Sequence, residues 1–286
     1  MTREVFVVDV LGVQRSLIVH WGHVGDTVLV VLHGSTENKD GSDDPLYPAA
    51  RFENNYDSSY FAPHRSRGYT QMYLAAQLKD GWFCWQNAGE EFGTCSQPDD
   101  GSDAAFVQKA VELSGANQSY LFGMSGGAKM AWKLHCAADG VGVVGGALAP
   151  SLRTIDNACG GPAVAFHGAD DPYVDVEAAD DTAAWWIASH GCGDDATISS
   201  GFNDIDGCST PGRLAYYRLE GVGHTIPGAP FVWDGLGGIS SYDSLAAMWD
   251  VWDGNDPAPL LGGATAGAAP RISTALLPAL AWLFFR

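Results

Sequence analysis

Ser125 stands in Gly123-Met124-Ser125-Gly126-Gly127, a G-x-S-x-G string that follows the apolar run Tyr120-Leu121-Phe122 and leads into Ala128, Met130, Ala131 and Trp132 at helical spacing. The pattern predicts a strand, a sharp turn and a helix. Such a turn holds a serine hydroxyl clear of its own backbone, and only small neighbours avoid a clash there. A hydroxyl presented in this way becomes a nucleophile once a base takes its proton, and the chemistry is acyl transfer through a covalent acyl-serine. In a chain with 36 glycines the string also fits an ordinary turn. The weight therefore falls on whether an acid and a histidine follow, in that order, after later strands.

Both are present. An apolar run at 162–166 ends in His167-Gly168-Ala169-Asp170-Asp171-Pro172. A carboxylate at such a strand end can accept the Nδ1–H of a catalytic histidine, set its tautomer and stabilise the imidazolium. Asp170 and Asp171 compete for that role, with Asp175 a more distant third; the spacing His-Gly-x-x-Asp-Pro favours Asp171, and the remaining acids are expected to cap a helix over 176–187. The last predicted strand, 214–219, leads into Gly221-Val222-Gly223-His224-Thr225-Ile226-Pro227-Gly228. A histidine in that Gly-rich loop can serve as general base toward the hydroxyl and then as general acid toward the leaving alcohol. His224 is that candidate; the other seven histidines have no comparable setting and are expected to be structural or surface residues. Upstream, a continuous apolar run at 27–32 stops at His33-Gly34-Ser35-Thr36. A buried strand ending there can supply one oxyanion donor, assigned to the backbone N–H of Ser35 to within one position, with the N–H of Gly126 as the second.

The elements that must hold these residues read as a mostly parallel, twisted α/β sheet with helices on both faces, in one catalytic body over 1–255. Runs at 5–10 and 16–20 open the chain as an antiparallel pair, and further strands are expected at 69–74 and 141–150. Residues 36–68 show no clean period and read as a long irregular insertion, whose aromatics either flank a groove or decorate a surface excursion. The cluster Gly81-Trp82-Phe83-Cys84-Trp85 reads as core or groove wall. The acids of 99–103 precede a helical pattern and read as its N-terminal capping cluster. A closing helix over 240–252 places Leu245, Met248, Trp249 and Trp252 on one core stripe.

Composition narrows the function. With 15 Lys and Arg against 34 Asp and Glu the chain carries a net charge of -19, which repels nucleic-acid phosphates and anionic membrane. Neither the acids of 99–103 nor Asp204-Ile205-Asp206-Gly207 supplies a full calcium ligand set, and no C-x-x-C pair marks a zinc or redox site. No metal is expected, and acyl transfer by serine needs no cofactor. Six widely spaced cysteines point to disulfides, and proximity favours Cys84 with Cys95, Cys136 with Cys159 and Cys192 with Cys208. Closing the last loop would contribute roughly 3 kcal/mol in the chain-entropy picture. Oxidised cysteines imply an extracellular or cell-surface setting, although Met1-Thr2-Arg3-Glu4 opens straight into strand-like sequence without a signal peptide. Residues 256–286 form a Gly/Ala-rich linker and an apolar tail. The tail fits a surface-sorting or GPI-type attachment signal, and fits a terminal helix or a frayed end equally well.

Taken together, the segments at 33–34, 123–131, 167–172 and 221–228 resemble the secreted polyhydroxybutyrate depolymerase and feruloyl esterase group of the α/β-hydrolases, which includes acetyl xylan esterases of carbohydrate esterase family one. The likeness covers roughly residues 5–253, and Gly-x-Gly-His-Thr-x-Pro-Gly is its most specific part. It implies an α/β-hydrolase fold, a Ser125, Asp171 and His224 triad, and hydrolysis of feruloyl, acetyl or hydroxyalkanoate esters, polymeric or small. It also implies a disulfide between Cys192 and Cys208. Ile226 where a Trp commonly follows the His-Thr pair, Val222 in place of a usual Gly, and the long insertion depart from the group's pattern near the site; they leave the substrate open rather than the reaction. Two other readings share the residues: a serine peptidase on the same fold, and a binding protein with a relic triad.

Overall fold

The computed structural model describes residues 2–256 apart from 24, 39–40, 43, 87–99, 154–158, 193–200, 206–207, 209–211 and 230–241. Among the described residues twelve strands run in chain order: β1 (Arg3–Val10), β2 (Val13–His20), β3 (Thr27–Leu32), β4 (Thr36–Glu37), β5 (Thr70–Leu74), β6 (Gln77–Lys79), β7 (Trp82–Cys84), β8 (Gln118–Met124), β9 (Gly140–Val144), β10 (Ala163–Gly168), β11 (Gly201–Ile205) and β12 (Leu214–Leu219). Five α-helices accompany them: α1 (Tyr47–Tyr56), α2 (Ser102–Ser114), α3 (Gly126–Lys133), α4 (Val176–Ser189) and α5 (Ser244–Trp252). Nine strands form one sheet in the order β1-β2-β5-β3-β8-β9-β10-β12-β11, while β4, β7 and β6 form a small separate one. From β5 to β12 every neighbour is parallel; β1, β2 and β11 add antiparallel margins.

Successive residues of each central strand feed opposite cores, as a period of two requires. Val30, Leu121, Val143 and Tyr216 point to the layer holding Phe106 of α2, Met130 and Trp132 of α3, and Trp186 of α4. Val31, Phe122, Val144 and Tyr217 point to the layer holding Phe52 and Tyr56 of α1, and Met248 and Trp249 of α5. Strands buried on both faces read as unbroken apolar runs for this reason. The α5 stripe of Leu245, Met248, Trp249 and Trp252 is buried as the spacing predicted.

Four expectations need correction. Residues 36–68 are not irregular: they contain β4, α1, a π-helical turn at Asp57–Phe61 and a 3-10 turn at Ala62–Arg67. Phe52, Tyr56 and Tyr60 lie at intervals of four and are buried against the sheet with Phe61, so the helical period is carried by aromatics among polar residues. Glu53 of α1 is also held, by His20 Nε2 at 2.6 Å and by Nε and Nη2 of Arg3 at 2.7 and 2.8 Å. The run at 141–150 is strand only to Val144, because Gly145 turns to φ 58° and leaves the sheet. Of the acids at 99–103, Asp100 Oδ1 accepts the Ser102 N–H at the start of α2 at 2.8 Å, but Asp103 does not cap the helix: both it and Arg15 are 2% exposed and they pair at 2.7 Å, with Asp103 Oδ2 accepting the Gln86 N–H. Nor does the Asp175 side chain cap α4, although Asp175 occupies the N-cap position.

Disulfides join Cys136 to Cys159 and Cys192 to Cys208. Cys95, the expected partner of Cys84, and the whole of 257–286 lie outside the described residues. Among the described residues no helix is long and apolar enough to cross a membrane.

Candidate active site

The turn after β8 has the geometry that the sequence pattern demands. Ser125 sits at φ 54°, ψ -116°, a region that costs a non-glycine residue free energy, and its N–H donates to Val144 O at 2.9 Å. Two glycines make the turn sterically feasible. A Cβ on Gly123 would lie 2.2 Å from Gly127 O, and one on Gly127 would lie 2.1 Å from Leu32 O. The half-buried Ser125 thus stands at the carboxyl edge of the parallel strands, where β3 also ends.

His33 and Gly34 close the other side. The neutral His33 ring is wired at both nitrogens: Nδ1–H donates to Gly34 O at 2.6 Å, and Nε2 accepts the Ala76 N–H at 3.0 Å. Burial lowers its pKa to about 4, so this tautomer persists across the physiological range. Thr36 Oγ1 also donates to Gly34 O, at 3.1 Å. A trans peptide holds its C=O and N–H on opposite sides, so pinning Gly34 O turns the Ser35 N–H the other way. That N–H lies over α3: Ser35 N is 3.3 Å from the position a Cβ would occupy on Gly126. Gly34 packs against Ser125 with equal closeness, 3.2 Å separating Ser125 Cβ from the corresponding point.

The acid and the histidine meet beside Gly145. His224 Nδ1 lies 2.6 Å from Asp171 Oδ2, while Asp171 Oδ1 accepts the Tyr173 and Val174 N–H groups at 2.8 and 3.0 Å. Burial alone would raise the Asp171 pKa; the His224 hydrogen bond and charge, joined by the two amides, outweigh it and hold the carboxyl below its usual value. Asp170 is exposed and only its backbone N–H is engaged, with Val222 O at 3.0 Å. Points built as a Cβ on Gly145 would lie 3.1 Å from the His224 ring and 3.4 Å from Asp171 Oδ2. Gly145 directly follows Val144, the acceptor of the Ser125 N–H, so the three side chains converge on one corner of the sheet. His167 completes the support from below: its Nε2–H donates to Val174 O at 2.8 Å and lies 3.8 Å from Asp171 Oδ2. Burial lowers its pKa.

Ser125, Gly126, Ser35 and His224 line one cavity of about 450 Å³. Of its remaining wall, Trp82 and Phe52 fall in segments whose aromatics the sequence offers as groove walls, whereas Arg51, Glu37 and Lys129 were not legible as site residues. Arg51 and Phe52 come from α1, Trp82 from β7, Glu37 from β4 and Lys129 from α3. Tyr173, 64% exposed, meets the His224 ring edge-on at 5.2 Å. The helical period of α1 was the one available signal for its contribution. Among the described residues the one group of three or more His, Cys, Asp or Glu with ligand atoms in reach of one another is His135, Cys136 and Cys159, and its two sulfurs are joined to each other.

No protein-family model matches the sequence, and no curated protein matches it. Solved structures do. An acetyl xylan esterase from Aspergillus awamori is 15% identical, with 78% of this chain and 95% of that one covered at a TM-score of 0.54. The chain has the α/β-hydrolase fold. A Bacillus cereus carboxylesterase is similar over 74% of this chain and 87% of its own, at 14% identity and a TM-score of 0.48. An α/β serine hydrolase homologue from Coxiella burnetii is similar over 78% and 90%, at 12% identity and a TM-score of 0.45.

Proposed function

We propose that the chain is a serine ester hydrolase with Ser125 as nucleophile, His224 as general base and acid, Asp171 as the group that orients His224, and the N–H groups of Ser35 and Gly126 as the oxyanion hole. The observation that carries this reading is the His224–Asp171 hydrogen bond of 2.6 Å at the corner where Ser125 is held at positive φ. Ser125 Oγ attacks the ester carbonyl while His224 Nε2 takes its proton, and the carbonyl oxygen becomes an oxyanion facing the two amides. The tetrahedral adduct collapses, the C–O bond breaks, and His224 returns the proton to the departing alcohol. Water then repeats both steps on the acyl-serine, freeing the acid and the serine hydroxyl. Every step uses groups of the chain and water.

Within that class, the segments shared with the polyhydroxybutyrate depolymerase and feruloyl esterase group support feruloyl, acetyl or hydroxyalkanoate esters, and the exposed Tyr173 beside His224 is suited to an alcohol half with a sugar or alkyl face. The two disulfides support an extracellular or cell-surface setting. A fluorophosphonate probe is expected to label the wild type once per chain and to leave Ser125→Ala unlabelled. Labelling that survives the substitution, or a wild type that neither labels nor turns over a short-chain 4-nitrophenyl ester, refutes the assignment and favours a relic site.

A further inference from the structure

The charge at the cavity runs opposite to that of the molecule. The chain bears a net -19 with fifteen basic residues in all, yet Lys129 and Arg51 both line the cavity that holds Ser125, against Glu37 as the one carboxylate in its lining. Lys129 lies one helical turn beyond the nucleophile: its N–H donates to Ser125 O at 3.1 Å, and residues four apart share a helix face. Burial lowers its pKa to about 8, opposed by the charge of Asp171, so the ammonium is partly stripped of water and still mostly charged at neutral pH. Arg51 reaches the same space from α1, with Nη1 3.3 Å from Tyr47 Oη. A cation short of water gains from an anion brought to it more than a hydrated surface cation does.

We propose that the cavity selects esters that carry a second, ionised carboxylate, such as the hemiesters of dicarboxylic acids, with Lys129 and Arg51 holding that carboxylate. This specificity rests on the hydrolase reading above and narrows it.

The test compares 4-nitrophenyl hydrogen adipate with its neutral methyl ester as substrates of the whole chain at pH 7, reading the ratio of the two kcat/KM values. Whatever governs the chemical step is common to both substrates and cancels in the ratio. The expected ratio exceeds one and falls about tenfold or more in Lys129→Gln and, separately, in Arg51→Gln, the scale of one lost charge-assisted hydrogen bond. A ratio at or below one, or one that neither variant moves, overturns the proposal. Free adipate gives a readout independent of turnover: it is expected to raise the melting temperature of Ser125→Ala, and to lose that effect when Lys129→Gln is added. Stabilisation by adipate without ester turnover would uphold the anion site and remove the hydrolase reading; turnover of both esters with no response to adipate or to either substitution would do the reverse.

Discussion

Asp171→Asn tests the site most searchingly, because the surrounding hydrogen bonds dictate how the new amide must lie. Asp171 Oδ1 accepts two backbone N–H groups, from Tyr173 and Val174, and Oδ2 accepts from His224 Nδ1. An asparagine has one acceptor oxygen and one NH2 group. Keeping its oxygen on the two amides leaves the NH2 facing Nδ1, which must then be unprotonated, with the proton moved to Nε2 and aimed at Ser125. A base protonated on that side cannot accept the serine proton. Turning the amide over restores the tautomer but sets an NH2 against two buried N–H donors, at about 1–3 kcal/mol for each donor left unsatisfied. The two together cost about 2–6 kcal/mol, so the competent arrangement drops to between about one part in 30 and one in 10⁴, using 1.4 kcal/mol per factor of ten. The expected fall in kcat on a short-chain 4-nitrophenyl ester is therefore about 30- to 10⁴-fold, with the melting temperature close to that of the wild type. Asp170→Asn, which changes only an exposed side chain, is expected to stay within a few-fold. Equal losses in the two variants, or an Asp171→Asn enzyme within tenfold of the wild type, would refute the tautomer reasoning.

His33→Ala is expected to lower kcat about ten- to a hundredfold with little change in KM, because it releases the peptide that turns the Ser35 N–H toward Gly126 while removing no substrate contact; a change confined to KM would contradict that role. Asp103→Asn leaves the Arg15 guanidinium without its charge partner in a site 2% exposed, and calorimetry should find a loss of about 3–5 kcal/mol. A near-neutral result would mean that water reaches the pair. Burial works against ionised Glu53, yet its bonds to His20 and Arg3 lower its pKa to about 2. A carboxyl depressed on folding adds stability that is fully present above its unfolded value of about 4.3 and disappears as pH falls through about 2. Wild type should thus lose up to about 3 kcal/mol more than Glu53→Gln over that acid window, and parallel acid melts of the two would show the latch to be idle.

What could be read from the chain alone was whatever is local. The elbow at 123–127 rests in part on a contact between residues four apart, Gly123 against Gly127 O, so the motif carries that geometry with it, while the need for glycine at 127 comes from Leu32 of β3. Unbroken apolar runs marked β3, β8, β10 and β12 because both faces of those strands are covered. The spatial order of the strands was not visible, since β5 lies between β2 and β3 only through pairings some fifty residues apart. Asp103 was misread for the same reason: its position at a helix start is a local signal, whereas its partner Arg15 sits on a distant strand. Lys129 is adjacent to the motif in sequence, but that it faces a cavity depends on α1 and β4 arriving opposite it.

The segment between β4 and β5 is built into the core at one end and faces the reaction space at the other: Tyr56 and Phe61 are fully buried while Arg51 and Phe52 border the cavity. Acquiring a new substrate by exchanging that segment wholesale would unseat one layer of the molecule along with the old preference. Drift in selectivity is therefore channelled into single replacements on the inward-facing turn of α1, and relatives that share the reaction but differ there should keep their thermal tolerance while diverging in the esters they accept.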